Sequence, residues 1–279
     1  MNVVLSRNSP RIDREPVARR HYSWASGDYA VVGTALQMVS EELCESVNLC
    51  QDERVLDVAG GNFHAAMAAA RRWCEVTATD FASDLANRGR PRTEAAALGV
   101  QFIDADAEAL PFPDQSFSAV ISAFGVMFAG DQERAASEMI RVCRRGRRVG
   151  LANWTPDGFI GQLFMTVARC APQTATAASP AASPFDWGTE HRLEELFSVY
   201  GSVETATKRV ALRARTPMDW VDKLRASYSP VLKTFALLDS AGQKTLRGEL
   251  LELVQRFNRA RDSTMLVDAE YLEIIVRRR

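Results

Sequence analysis

An α/β fold built on one mostly parallel sheet is what this sequence predicts, and three observations carry the prediction. Short apolar runs recur at 54–59, 75–80, 100–104, 117–123 and 148–154, each of strand length and bounded by turn residues. Helix-type stretches separate most of these runs, the arrangement of right-handed βαβ units with helices on both faces of the sheet. The first run ends in the pair Gly60-Gly61 and opens directly into an alanine-rich helix.

Taken in order, residues 1–20 combine charges and prolines without an apolar stretch, so a flexible tail is expected rather than a signal peptide. In 21–50, Leu36, Val39, Leu43 and Val47 recur at helical spacing and give an N-terminal helical lid. A core follows over 51–215. RVLDVA (54–59) is the first strand, AAMAAARRW (65–73) a helix, and EVTATD (75–80) a second strand rich in β-branched residues. Residues 82–98 suit a helix interrupted near Pro91. VQFID (100–104), FSAVISA (117–123) and RVGLANW (148–154) are the third to fifth strands, with a helix over 131–144. GFIGQLFMTVARC (158–170) is an apolar helix, and 171–184 is a small-residue, proline-bearing loop of lid type. An amphipathic helix (189–200) and a sixth strand (203–215) follow. Residues 216–262 read as a helical cap insertion with breaks near Pro230 and Gly242, and 263–279 completes the core with a last strand, EYLEIIVR (270–277).

With 47% hydrophobic and 25% charged residues, the 279-residue chain can bury a sizeable core. Its formal net charge of −1 offers no global attraction to nucleic acid or an anionic membrane. Arg141, Arg144, Arg145, Arg147 and Arg148, and the closing Arg277, Arg278 and Arg279, are expected to form a solvated helix end and a frayed terminus. No run of about 18 apolar residues exists, so no membrane span is expected. The five cysteines form neither a CxxC pair nor a cluster with histidine, which points to no metal and a reducing, cytoplasmic setting. A homo-oligomer is expected only in that the N-terminal segment can pack across a partner.

The chemistry concentrates at one sheet edge. A strand ending in Gly60-Gly61 brings bare backbone N–H groups and a helix start to that edge, which suits a carboxylate or ribose. Asp80 closes the second strand about twenty residues later, where an acidic side chain accepts ribose hydroxyls. After the third strand, Asp106 followed by Ala107 suits adenine, and the fourth strand ends in Ser122-Ala123-Phe124. The same turn and Asp80 would serve the dinucleotide of an NAD(P)-dependent oxidoreductase, the alternative from another class, but G-x-G-x-x-G spacing is missing.

Over 54–154 the sequence resembles the class I S-adenosylmethionine-dependent methyltransferases of the type 11 group, which includes quinone and small-molecule methyltransferases. The resemblance rests on VLDVAGGN, the TD ending at Asp80, DAEALPFPDQSFSAVIS and FGVMFA, with WGTEHRLEELF and the closing RFNRA and AEYLEI stretches also similar to bacterial members. It implies a Rossmann-like seven-stranded sheet and S-adenosylmethionine as cofactor, released as S-adenosylhomocysteine. Carried over, Asp57, Ala59, Gly60 and Gly61 line the methionine and sulfonium end, Asp80 holds the ribose, and Asp106 with Ala107 the adenine. Ser122 and Phe124 then sit beside the sulfonium. Phe63 departs from the pattern, which has a small residue there, and its ring is expected to crowd the methionine tail or shape the substrate side.

Methyl transfer needs alignment more than acid–base chemistry, so few catalytic residues are expected. His64, just past the glycine turn, is the candidate base; Tyr22 is a second, and Tyr29 is expected to reach the cofactor. His191 reads as a surface helix residue and Glu108 as structural. Aromatics after the later strands, among them Phe128, Trp154 and Trp187, suggest a small, lipophilic or aromatic acceptor of natural-product or quinone-like type. O-methylation leads, C-methylation of an electron-rich ring or alkene comes next, and a non-catalytic binding scaffold is the alternative that Phe63 raises. No basic strip interleaved with aromatics and no N/D-P-P-Y/F stretch favours a nucleic-acid substrate.

Overall fold

The computed structural model describes residues 33–172 and 183–279. Tyr22, Tyr29, the tail and most of the 171–184 loop therefore lie outside the described residues.

The strands are β1 (Arg54–Val58), β2 (Glu75–Asp80), β3 (Val100–Asp104), β4 (Phe117–Ala123), β5 (Cys143–Trp154), β6 (Gly201–Ala214) and β7 (Met265–Arg278). They form one seven-stranded sheet in the order β3-β2-β1-β4-β5-β7-β6. β1 to β5 run parallel, and β7 lies antiparallel between β5 and β6. β4 is apolar and buried nearly throughout because both its faces are covered, whereas β6, at the edge, alternates buried and exposed positions over much of its length. The strand order reverses between β1 and β4, so the loops at their carboxyl ends diverge and leave a crevice.

Helix α1 (Gln37–Ser46) is entered through a 3-10 turn at Thr34–Leu36; α2 (His64–Ala70) and α3 (Ser83–Ala95) follow β1 and β2. Then come α4 (Gln132–Val142), α5 (Phe159–Cys170), α6 (Glu190–Phe197), α7 (Pro217–Ser227), α8 (Ser229–Leu237) and α9 (Ser240–Phe257). The starts of several helices are set by side-chain caps: Asp131, Thr189, Thr216 and Asp239 each accept the backbone N–H three residues on. α1 packs on α2, burying Val39, Leu43 and Cys44, and α9 packs along α5. Among the described residues no helix is long and apolar enough to cross a membrane.

Several expectations are corrected. α3 runs through Pro91 without interruption: the ring faces solvent, and only one backbone N–H is lost. β5 starts at Cys143 rather than 148, with its pairing to β4 shifted between Phe117 and Ala119 and Gly146 at φ +70. The arginines there are not simply solvated. Arg148 pairs with Glu53 at 2.7 Å, and Arg141 is held by Glu138, Asp114 and the carbonyls of Leu110 and Phe112. Nor is the terminus frayed, because β7 extends to Arg278 and the Arg279 N–H donates to the Tyr200 carbonyl at 3.0 Å. The cap breaks at Tyr228 and at Leu238–Asp239, each next to the expected position.

Candidate active site

Two adjoining cavities open at the carboxyl ends of β1, β2 and β4. The larger, about 170 Å3, is lined by the glycine loop, Asp57, Asp80 and Phe81, by Ala123, Phe124 and Gly125 after β4, and by Phe128, Trp154 and Tyr228. Gly33, Leu36 and Ser40, at the start of the N-terminal helix, form its opposite wall. The smaller shares Ala59, Phe81, Gly125 and Phe128 with it and adds Asp106, Ala107, Val126 and Ala129.

The glycine loop alternates. Ala59, Gly61 and Phe63 have φ of +54, +56 and +60, so every second residue takes the left-handed region. Gly60 is required sterically, since a Cβ there would lie 2.7 Å from both Asp57 Oδ2 and Phe63 Cδ1. At Gly61 a Cβ would meet nothing within 4 Å, which leaves the loop's backbone open to a ligand.

Phe63 does not crowd the cavity. Its ring is fully buried, 4.6 Å from the Phe102 ring, and occupies the space beside Gly89 on α3, where a Cβ would stand 2.3 Å from its Cδ2. The left-handed backbone at 63 turns the side chain into the core instead of toward the cavity.

Asp57 is fully buried. Its Oδ2 accepts the Ala66 N–H at 3.0 Å, while Oδ1 has no partner. Burial, with Asp80 adding to it, pushes its pKa up to about 8. Asp80 accepts the Gly61 N–H on Oδ2 and the Ala82 N–H on Oδ1, both at 2.9 Å, which fixes the carboxylate against the loop at the cavity's edge. Asp106 accepts the Glu108 N–H at 3.0 Å and lines the smaller cavity with Ala107. Glu108 accepts the Gly130 and Asp131 N–H groups, a structural tie.

His64 lines the larger cavity. Burial and the nearby guanidinium of Arg92 push it down to about 4, so at neutral pH it is an uncharged hydrogen-bonding group and a weak proton acceptor. Asn62, absent from the sequence expectations, is 4% exposed, lines the same cavity and has no partner on either amide atom among the described residues.

The aromatic side has two walls. Phe124 and Trp154 stack at 3.8 Å and 9°, with Tyr271 edge-on behind them. The Tyr271 hydroxyl donates to Glu42 Oε2 at 3.0 Å, and burial together with that carboxylate raises its pKa, so it is not a base. In a second cluster, Phe128 packs on Phe164, which meets Phe185 and Tyr228 edge-on.

Two expected residues are not brought to the cavity. Ser122 is fully buried, and its hydroxyl donates to the Val58 carbonyl (2.7 Å) and accepts the Val126 N–H (3.1 Å), clamping the β4 loop. Trp187 is fully buried against Phe197 with its carbonyl bonded to Asn153, a core residue and not an acceptor wall. Phe81, Asn62 and Tyr228 went unmarked. Phe81 directly follows Asp80 and was legible by position; Tyr228 had no signal, because it reaches the cavity from the cap. Among the described residues no group of His, Cys, Asp and Glu is arranged to hold a metal.

A family model described as a methyltransferase domain matches residues 55–146. An uncharacterised protein of Mycobacterium tuberculosis is 34% identical over 258 residues, spanning 89% of this chain and 92% of its own length. A demethylmenaquinone methyltransferase of Thermus thermophilus is 40% identical over 106 residues, 37% of this chain and 48% of that protein. The YcgJ protein of Bacillus subtilis has the same fold, with a TM-score of 0.57 at 17% identity over 87% of this chain and 99% of its own.

Proposed function

The chain belongs to the class I S-adenosylmethionine-dependent methyltransferases, and we propose that it methylates a small, apolar or aromatic acceptor of natural-product or quinone-like type, in the cytoplasm, with oxygen as the receiving atom. The observation that carries this reading is continuity: one cavity joins the glycine loop and Asp80 to the aromatic walls of Phe124, Trp154, Phe128 and Tyr228.

The residues present fit the cofactor. Asp57 Oδ1 and the Asn62 amide are buried polar atoms without partners in the cavity, and they suit an amino-acid tail. Asp80 is fixed for two ribose hydroxyls, and Asp106 with Ala107, beside Phe81, suits adenine. Bound there, S-adenosylmethionine supplies an electrophilic methyl group on a sulfonium.

The protein's own part is alignment. The stacked Phe124–Trp154 pair, braced by Tyr271, is a rigid π surface next to the glycine loop; it excludes water and favours a neighbouring positive charge. Phe128 and Tyr228 line the same cavity and, with that pair, offer aromatic surface to a flat acceptor. An acidic phenol or quinol fits a site whose only cavity-lining imidazole among the described residues is a weak base. That weakness also favours a second reading, C-methylation of an electron-rich ring, where the π walls stabilise the cationic ring. The Thermus relative, a demethylmenaquinone methyltransferase, supports the quinone-like class. The scaffold alternative loses its motive, since Phe63 leaves the cavity open.

Isothermal titration with S-adenosylhomocysteine tests the cofactor half. Wild type should bind, and Asp80→Ala should lose roughly a hundredfold in affinity, the worth of two charge-assisted hydrogen bonds. Failure of the wild type to bind overturns the proposal. Turnover across a panel of phenols, naphthoquinols and indoles, with the methylated atom located by NMR, separates O- from C-methylation.

A further inference from the structure

We propose that Asn62 and His64, backed by Arg92, form a carboxylate seat at the glycine-loop end of the cavity, that its occupant is the α-carboxylate of the cofactor's amino-acid tail, and that Phe63 is the positioning residue that assembles it. The inference rests on the methyltransferase reading.

Asn62 supplies the first reason. Its amide is almost wholly buried, touches the cavity and satisfies neither its donor nor its acceptor among the described residues. A buried amide left this way is costly, and a ligand's polar group relieves the cost.

Arg92, on α3, supplies the second. One of its terminal nitrogens donates to the Asn62 carbonyl at 3.0 Å, and the two lie 3.4 and 3.3 Å from the two ring nitrogens of His64. Among the described residues no carboxylate stands within ion-pair distance of it. A half-buried guanidinium without a counter-charge makes the ground behind His64 and Asn62 positive. His64, neutral at neutral pH, lines the cavity without adding a second cation. Across the loop, the partnerless Asp57 Oδ1 is suited to the ammonium group, so the two sides complement a zwitterion.

Phe63 explains how the parts meet. Gly89 leaves a notch in α3, the Phe63 ring fills it, and this contact docks the helix on the glycine loop. Arg92 lies three residues beyond Gly89, one turn along the same face, and so arrives at His64. The bulky residue in a position that resembles a glycine site thereby recruits a cation the loop itself lacks.

The test compares S-adenosylhomocysteine with 5′-methylthioadenosine, which has the same nucleoside and a thioether but no amino acid, by titration calorimetry on the full chain. Arg92→Met should weaken S-adenosylhomocysteine about tenfold or more and leave methylthioadenosine within about twofold, with Arg92→Lys recovering most of the loss. Gly89→Val, which evicts the Phe63 ring, should give the same selective loss, with melting curves on each variant to show that it is folded. Equal loss for both ligands would mean that Arg92 merely holds the loop, and no loss would mean that the seat is elsewhere; either overturns the proposal. A wild type that binds neither ligand instead overturns the cofactor reading on which it stands.

Discussion

Asp57 makes cofactor affinity depend on pH in a window well above that of an ordinary carboxylate. The group is fully buried and its pKa is pushed up to about 8, so in the ligand-free protein at pH 7 it is mostly neutral. Receiving the cationic end of an amino-acid tail on Oδ1 requires the ionised form, and the proton must leave. The ionised fraction rises from about one in a hundred at pH 6 to one half at pH 8, so affinity should climb roughly fiftyfold over that window, with close to one proton released per ligand at the acid end. Titration calorimetry of S-adenosylhomocysteine in buffers of different ionisation enthalpy reads both quantities. Asp57→Asn should flatten the profile at the wild type's acid-side affinity, because an amide can turn its oxygen to the Ala66 N–H and never carries charge. The same shift has a consequence for folding. The carboxyl is neutral in the folded chain but ionises near 3.8 when unfolded, so its contribution is complete below about pH 4 and is lost as pH rises to about 8. The loss is on the order of 5 kcal/mol, and Asp57→Asn should therefore be more stable than wild type at pH 8 in urea denaturation. A wild-type affinity that is flat from pH 6 to 8, or a slope that survives in the Asn variant, refutes this account of Asp57.

Ala59 has a left-handed backbone, so Ala59→Gly should gain about 1 kcal/mol in urea denaturation by releasing that strain; destabilisation would mean that its Cβ contacts in the loop outweigh the strain. Trp187 belongs to the core, and Trp187→Phe should cost about 1–3 kcal/mol while leaving acceptor KM within about twofold. Trp154→Leu, which removes half of the stacked wall, should raise acceptor KM several-fold with S-adenosylhomocysteine affinity unchanged; a matching rise from Trp187→Phe would return that residue to the acceptor side.

What the sequence made legible was whatever depends on local pattern. β2, β3 and β4 fall at their predicted boundaries because both flanks of each strand carry turn or polar residues, and because a buried parallel strand needs no partner-specific signal. β5 and β7 came out longer than predicted for the opposite reason. In β5 the added stretch is tied to β4 only through Cys143, opposite Phe117, with the arginines in the register shift that follows, and in β7 the added residues alternate between buried and half-buried and are strand through their pairing with β6. The arginines read as solvated because charge alone was visible; the Glu53 and Glu138 carboxylates that hold Arg148 and Arg141 come from other elements.

In the site, the same division separates loops from what is packed behind them. Asp57, Gly60, Gly61 and Asp80 could be placed because each sits at a strand end, where backbone direction alone aims it at the crevice. Ser122 sits at such an end too, yet its hydroxyl satisfies two backbone groups, and a buried hydroxyl with both needs met has no reason to face a ligand. Phe63 is the hardest case, since its identity suggested obstruction while its backbone decided otherwise. At φ +60 the side chain leaves the loop on the core side, and the space it needs exists only because α3, from a separate part of the chain, carries glycine at 89. Neither residue is informative alone. A phenylalanine in a tight turn is unfavourable, and a glycine inside a helix is unfavourable too; together they form one contact, which brings Arg92 to the loop.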